Sequence, residues 1–420
     1  MIGRGRIAAS WQGDMQLRCW TRMVLVGLCA LLAIACGEEA APEPGREAGA
    51  ANAEQASSEE PFVIGALDSL TGVGESYGVP LSRSKLLAVE EINAAGGVNG
   101  RMLQLVIEDS KCTSTDAIAA YQRLTDVEGI KIVLGATCSG ATLGVAPLAE
   151  KDGVILFSPS STSPDITHAG DYVFRTAISS QKAGTDVGNL LWADGVRTIV
   201  TISEATDYAE GSRRAAVAQF EQLGGTVAAA ESYPSDAIDF RSQLAKLLRV
   251  DAEAMFLAAQ GEISGGTIIK QARELGYDGP IYSEVVPTGP NALEIAGEHA
   301  TGLKAIVPDP ELNTSTGTNF LAHFNSRFGV APWPWYQGSA YDGVYIAAEC
   351  LRQTNDDQDT DGFRDCLHGL TWSGAIGDDY SFDENGDVAG ISHVLIEVLP
   401  VAERTEANLG YRVVRARAAS

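Results

Sequence analysis

The chain has 420 residues, 45% of them hydrophobic, enough for two or three domains with real cores and too apolar for a disordered protein. Its formal net charge of -25 repels phosphate backbones and anionic lipid, which excludes nucleic acid as a partner. The first 36 residues read as an address. Arg4, Arg6, Arg18 and Arg22 form a basic region, MVLVGLCALLAIA (23–35) is an apolar stretch too short to span a bilayer comfortably, and small residues flank Cys36, the pattern of an export signal.

AIAC followed by Gly37 resembles a bacterial lipobox, with Leu32 one position further upstream than usual. The resemblance implies that Cys36 is lipidated and becomes the mature N-terminus, anchoring the protein to a membrane. Residues 37–60, GEEAAPEPGREAGAANAEQASSEE, carry no apolar periodicity and are expected to be a disordered acidic tether reaching about 27 Å. Four cysteines remain beyond Cys19, Cys29 and Cys36. An exported chain is oxidised, so Cys112 is expected to pair with Cys138 and Cys350 with Cys366. A four-cysteine metal site is disfavoured because no pair has CxxC spacing, and no metal or cofactor is expected.

From Pro61 onward short apolar runs alternate with amphipathic stretches. FVIGAL (62–67), LQLVIED (103–109), KIVLGA (131–136), VILFS (154–158), TIVTIS (198–203), AMFLAA (254–259) and LKAIV (303–307) are nearly continuous apolar strands, the kind buried on both faces of a parallel sheet. Between them Ala216, Val217, Phe220 and Leu223 share one helical face, as do Phe240, Leu244, Leu247 and Leu248. Glycines in AAGGVNG (94–100) and QLGGTV (222–227) mark helix ends. The class is α/β, and this many units need two lobes, with a crevice at the carboxyl ends of the strands.

Two turns carry polar chemistry. LGATCSGATLG (134–144) joins a strand to a helix expected over about 139–152, and its Ser139, Gly140 and Ala141 offer backbone N–H groups to an anion; simple helix capping by Ser139 is the competing reading. ILFSPSSTSPDIT (155–167) supplies neutral hydroxyls between Pro159 and Pro164. A hydrolase would need Ser160 or Ser161 to be activated by His168, and the chain has no GxSxG elbow, so an enzyme is not expected.

The order LGATCSGATLGVAPLAEKDGVILFSPSSTSPDIT, with Cys112 upstream in EDSKC, then RTIVTISEATDYAEG, GPIYSE, SAYDGVYIAAE and YSFDENGDVAG, is similar to the type I periplasmic solute-binding proteins of ABC importers. The similar group is the branched-chain amino acid binders typified by leucine/isoleucine/valine-binding protein. The resemblance implies two doubly wound parallel-sheet lobes joined by three crossings. Lobe 1 would comprise 61–180 plus 308–372, lobe 2 181–307 plus 373–402, and 403–420 a C-terminal tail. It implies that a ligand carboxylate meets Ser139 and Thr162, and that the ammonium meets the Ser160 carbonyl, Thr162 and Glu284 from the other lobe. Tyr77 and Tyr208 close over the ligand, Tyr341 and Asp342 stand at the cleft-facing start of a helix, and Gln260 replaces a pocket tyrosine, pointing to a ligand more polar than leucine. The implied partner is an ABC importer permease; the alternative is a sensor engaging a membrane receptor.

Two further stretches stand out. Asp357, Asp359, Asp361 and Asp365 follow a calcium-loop spacing, but His368 stands where the last carboxylate belongs, so a solvated acidic loop is expected. Trp333, Trp335 and Tyr336 cluster among prolines, as packing of a long loop or as a lining of the cleft mouth.

Overall fold

The computed structural model describes residues 60–309, 312–330, 333–405 and 407–414. The expected signal, Cys36 and the tether through Glu59 lie outside the described residues. No helix among the described residues is long and apolar enough to cross a membrane.

The chain runs β1 (Phe62–Asp68), α1 (Glu75–Ala94), β2 (Leu103–Asp109), α2 (Ser114–Gln122), β3 (Ile132–Gly135), α3 (Ser139–Asp152), β4 (Ile155–Ser158) and β5 (Val173–Arg175). It continues through α4 (Ser180–Ala193), β6 (Thr198–Glu204), α5 (Asp207–Gln222), β7 (Thr226–Tyr233), α6 (Arg241–Leu247), β8 (Ala254–Ala258), α7 (Glu262–Glu274), β9 (Ile281–Ser283), α8 (Pro290–Ala296) and β10 (Lys304–Pro308). Last come α9 (Ser315–Phe328), α10 (Pro334–Thr354), α11 (Thr360–Gly369), β11 (Thr371–Trp372), β12 (Tyr380–Phe382), β13 (Val388–Ala389), β14 (His393–Val398) and β15 (Tyr411–Val414).

Lobe 1 is built on the parallel sheet β2-β1-β3-β4-β5 and lobe 2 on β15-β14-β10-β9-β8-β6-β7, in which only β14 runs against the rest, pairing antiparallel with β10 and β15. The first five strands of each lobe are wound in the same order, so each sheet has a switch point, between β1 and β3 and between β6 and β8. Loops at such points diverge and leave a crevice. The apolar runs explain the strands: Phe62, Ile64, Ala66 and Leu67 of β1 and every residue of β8 are buried, as helices cover both faces. Helices pack closely where glycine allows it. A Cβ on Gly184 of α4 would stand 2.6 Å from the Ala215 Cβ of α5.

Both expected disulfides are present, Cys112–Cys138 and Cys350–Cys366. The second ties α10 to α11 and closes a loop whose cross-link is worth about 3 kcal/mol in the chain-entropy view. The acidic 356–368 stretch is engaged locally. Asp357 accepts from Val63 N at 3.1 Å, Asp359 caps α11 through Gly362 N at 3.0 Å, and Asp361 and Asp365 pair with Arg364. Among the described residues no group of three or more His, Cys, Asp or Glu is placed to hold a metal ion.

The lobe boundaries differ from expectation at the C-terminal end. Residues 373–389 stay with lobe 1: Asp342 of α10 accepts from Ala375 N and Ile376 N, and Asp387 is bound by Arg175 of β5 at 2.5 Å. The third crossing therefore follows Ala389. The expected tail also contributes structure, because Tyr411–Val414 pairs with β14 at the edge of lobe 2.

Candidate functional site

Loops from both switch points converge on a small chamber of about 20 Å³, room for a single water. Lobe 1 contributes Tyr77, Thr137, Cys138, Ser139, Ser160 and Thr162; lobe 2 contributes Tyr208, Gln260 and Val286; Trp333 and Tyr336 come from the start of α10. Outside the chamber the interlobe cleft widens into a groove of about 690 Å³ between α1 and the segments 235–238 and 261–264.

On the lobe 1 side the two polar turns are bound to each other. Ser139, the first residue of α3, accepts at its Oγ from Thr162 N and Ser163 N, each at 3.1 Å. Its own hydroxyl proton stays free to donate beside the N–H groups of the helix start, where the dipole favours negative charge. Ser160 donates its hydroxyl to Thr137 O at 2.7 Å, and Ser161 donates to Ala136 O at 2.9 Å, while His168 is exposed in a 3-10 turn. Neither serine is arranged as a nucleophile.

Glu284, just after β9, is buried but is not part of the chamber wall. Its Oε1 accepts from Ser212 Oγ at 2.5 Å and its Oε2 from Ser180 Oγ at 2.9 Å. Tyr208, on the wall, also bonds to it. Ser180 Oγ lies 3.0 Å from Thr162 Oγ1, so the carboxylate is linked to the lobe 1 turn through one hydroxyl. Burial pushes the Glu284 carboxyl up to about 7, opposed by the hydrogen bonds from Ser212, Ser180 and Tyr208. Among the described residues no cationic side chain pairs with it. Burial and the Glu284 charge raise Tyr208, and burial raises Tyr77, so both phenols stay protonated donors.

Tyr77 holds its hydroxyl 3.3 Å from Cys138 Sγ. Gln260 faces it from lobe 2. Seven of the nine residues expected at the site are thus gathered in or directly behind the chamber.

Tyr341 and Asp342 are not there. The expectation placed them at a helix start, yet α10 begins at Pro334, two turns earlier. Tyr341 therefore donates to Glu91 and packs on Phe320. Asp342, which burial pushes up to about 6, is occupied by Ala375 N, Ile376 N and Tyr380 OH. The residues that do stand at the helix start are Trp333 and Tyr336, two of the three aromatics singled out in that loop; Trp335 is buried beneath. Sequence reasoning also missed Ser180 and Ser212. Ser212 had a signal, since it lies one helical turn after Tyr208 on the same face of α5. Ser180 had none.

Known proteins share this architecture. The profile of the family described as periplasmic binding protein matches residues 61–392. The leucine-, isoleucine-, valine-, threonine- and alanine-binding protein of Pseudomonas aeruginosa is 28% identical over 346 residues, 80% of this chain and 90% of the relative. The branched-chain amino acid transporter substrate-binding protein of Streptococcus pneumoniae, solved with isoleucine, superposes with a TM-score of 0.73 at 25% identity, covering 85% of this chain and all of that one. A leucine-binding protein from Thermotoga maritima superposes with a TM-score of 0.76 at 23% identity, over 84% of this chain and 97% of that one, which shows the shared fold.

Proposed function

The chain belongs to the periplasmic binding protein family, the solute-binding components of ABC importers and not enzymes, and we propose that its solute is a small amino acid-like zwitterion captured between the lobes. The ligand carboxylate lies against the Ser139 hydroxyl, the N-terminus of α3 and Thr162. Its ammonium takes the place on Glu284 that Tyr208 and Ser180 hold in this structure, with the Ser160 carbonyl as a further acceptor. Tyr77, Tyr208 and Gln260 enclose the side chain. The chamber is too small for such a ligand as it stands, so the lobes part to admit it. The loaded protein, anchored through lipid at Cys36 by the 37–60 tether, delivers it to the permease of an ABC importer.

The observation that carries this reading is Glu284 itself. A buried carboxylate without a cationic partner is costly to keep ionised, and an ammonium arriving one hydroxyl away from an anion-accepting turn removes that cost. A thermal-shift screen of amino acids beside their des-amino acids and decarboxylated amines tests it. Only the zwitterions are expected to stabilise, by about 2.7 kcal/mol at one hundred times the dissociation constant. Equal stabilisation by acids or amines alone would overturn the reading.

A further inference from the structure

Gln260 occupies the turn between β8 and α7, and a buried carboxylate fixes its backbone. Glu204 Oε2 accepts from Gln260 N at 2.9 Å, from Gly261 N at 3.0 Å and from Ser264 Oγ at 3.2 Å. Its side chain crosses to lobe 1, where Nε2 donates to Cys112 Sγ of the disulfide at 3.1 Å. Gln260 is only 5% exposed and lines the chamber, yet its Oε1 has no hydrogen-bond partner.

The amide cannot usefully be turned round. A disulfide sulfur carries no hydrogen and only accepts, so it holds the NH2 group and leaves the oxygen free. Tyr208, Val286, Trp333 and Tyr336 line the chamber with it, and no hydroxyl or N–H of the chamber wall bonds that oxygen. A ligand filling the chamber either gives Oε1 a donor or seals it unpaired, and an unpaired buried carbonyl bears its full desolvation cost. A site built this way rejects an isostere lacking the donor more strongly than a plain apolar pocket rejects an added hydroxyl.

We propose that Gln260 Oε1 is the specificity reader of this chamber, and that the protein takes zwitterions whose short side chain carries an O–H or N–H donor in preference to aliphatic side chains of the same shape. This rests on the zwitterion reading above. Gln260 sets which side chain is accepted, while the Ser139 and Glu284 poles set that the ligand is an amino acid at all. An acidic side chain brings no donor when ionised and faces Glu204 behind the amide, so it is excluded too.

Two isosteric pairs test this by calorimetry on the full chain: L-threonine against L-valine and L-asparagine against L-leucine. The parent protein is expected to favour threonine and asparagine by roughly tenfold or more, and Gln260→Leu to bring each ratio to about one or invert it. Aliphatic members bound as tightly as their polar partners by the parent, or ratios unchanged in Gln260→Leu, would overturn the assignment of Gln260 alone. Failure of all four to bind would overturn it together with the zwitterion reading. The parent ratios decide the matter even if the variant folds poorly.

Discussion

On the lobe 1 side of the chamber the polar groups are hydroxyls and backbone N–H groups, held by one another: Ser139 by Thr162 and Ser163, Ser160 by Thr137. On the lobe 2 side carboxylates stand just behind the wall, Glu284 behind Tyr208 and Glu204 behind Gln260. The two sheets are wound in the same strand order, so the fold supplies two equivalent loop clusters and the side chains decide the sign of each. Fixed dipoles at a helix start suffice for an anion, whereas a desolvated ammonium needs a full opposite charge. On the proposed reading, that difference is what would let an otherwise uncharged chamber hold both poles of one small molecule.

The neutral wall depends on a charge placed behind it, and removing that charge is the largest effect expected. Arg175 is fully buried; it pairs with Asp387 and donates to the Ser163 carbonyl at 2.8 Å, fixing the turn that carries Thr162. Arg175→Met leaves Asp387 without its cationic partner, takes one of two donors from that carbonyl, whose other donor is Ile166 N, and is expected to cost about 3–5 kcal/mol in urea unfolding, the range for breaking a buried pair. A loss under about 1 kcal/mol would mean that the turn holds itself.

The charged wall should show itself as a pH dependence. The folded Glu284 carboxyl sits at about 7 against an ordinary 4.5, so the folded, empty protein binds more protons than the unfolded chain between those values. Its stability therefore falls as pH rises through that window, and Asp342, at about 6, acts in the same direction. Binding runs the opposite way, because an ammonium needs the ionised carboxylate. Affinity is expected to fall by up to about tenfold per pH unit below 7, measured by calorimetry, and Glu284→Gln should flatten the profile. A profile unchanged in that variant would assign the titration elsewhere.

The smallest effect concerns how closely the walls meet. A Cβ on Gly211 of α5 would stand 2.6 Å from Pro164 Cδ, beside the lobe 1 turn. Gly211→Ala is expected to weaken ligand binding about fivefold by holding the lobes apart, while the melting temperature of the empty protein stays level or rises, since alanine is the better helix former by about 1 kcal/mol. Lower melting with unchanged affinity would place the fault in packing and not in closure.

Much of this was legible from residues alone, for physical reasons. Strands buried on both faces are written as continuous apolar runs, so β1, β3 and β8 could be read directly. The start of α3 was marked by its strand-turn-serine pattern. Edge strands are not written so plainly: β7, TVAAAESY, is half exposed, and β15 gains its place only by pairing with β14. The hydroxyl turns were visible as composition, but their mutual hydrogen bonds are tertiary. Tyr341 and Asp342 were misplaced because nothing in APWPWYQGSAYDG says that the helix starts at its second proline, two turns before them. Ser180 joins Thr162, 18 residues before it, to Glu284, 104 residues after it, a link no local pattern announces.

The division of labour between the walls is tested most directly by calorimetry of the parent and Glu284→Gln, each titrated with a bound amino acid and with its des-amino acid. The parent should bind the amino acid far more tightly. The variant should lose that affinity by two to three orders of magnitude, within the range for truncating a buried charged partner, while the des-amino acid, held by the lobe 1 turns alone, binds as well as before or better. Equal binding of the amino acid by parent and variant would contradict the account.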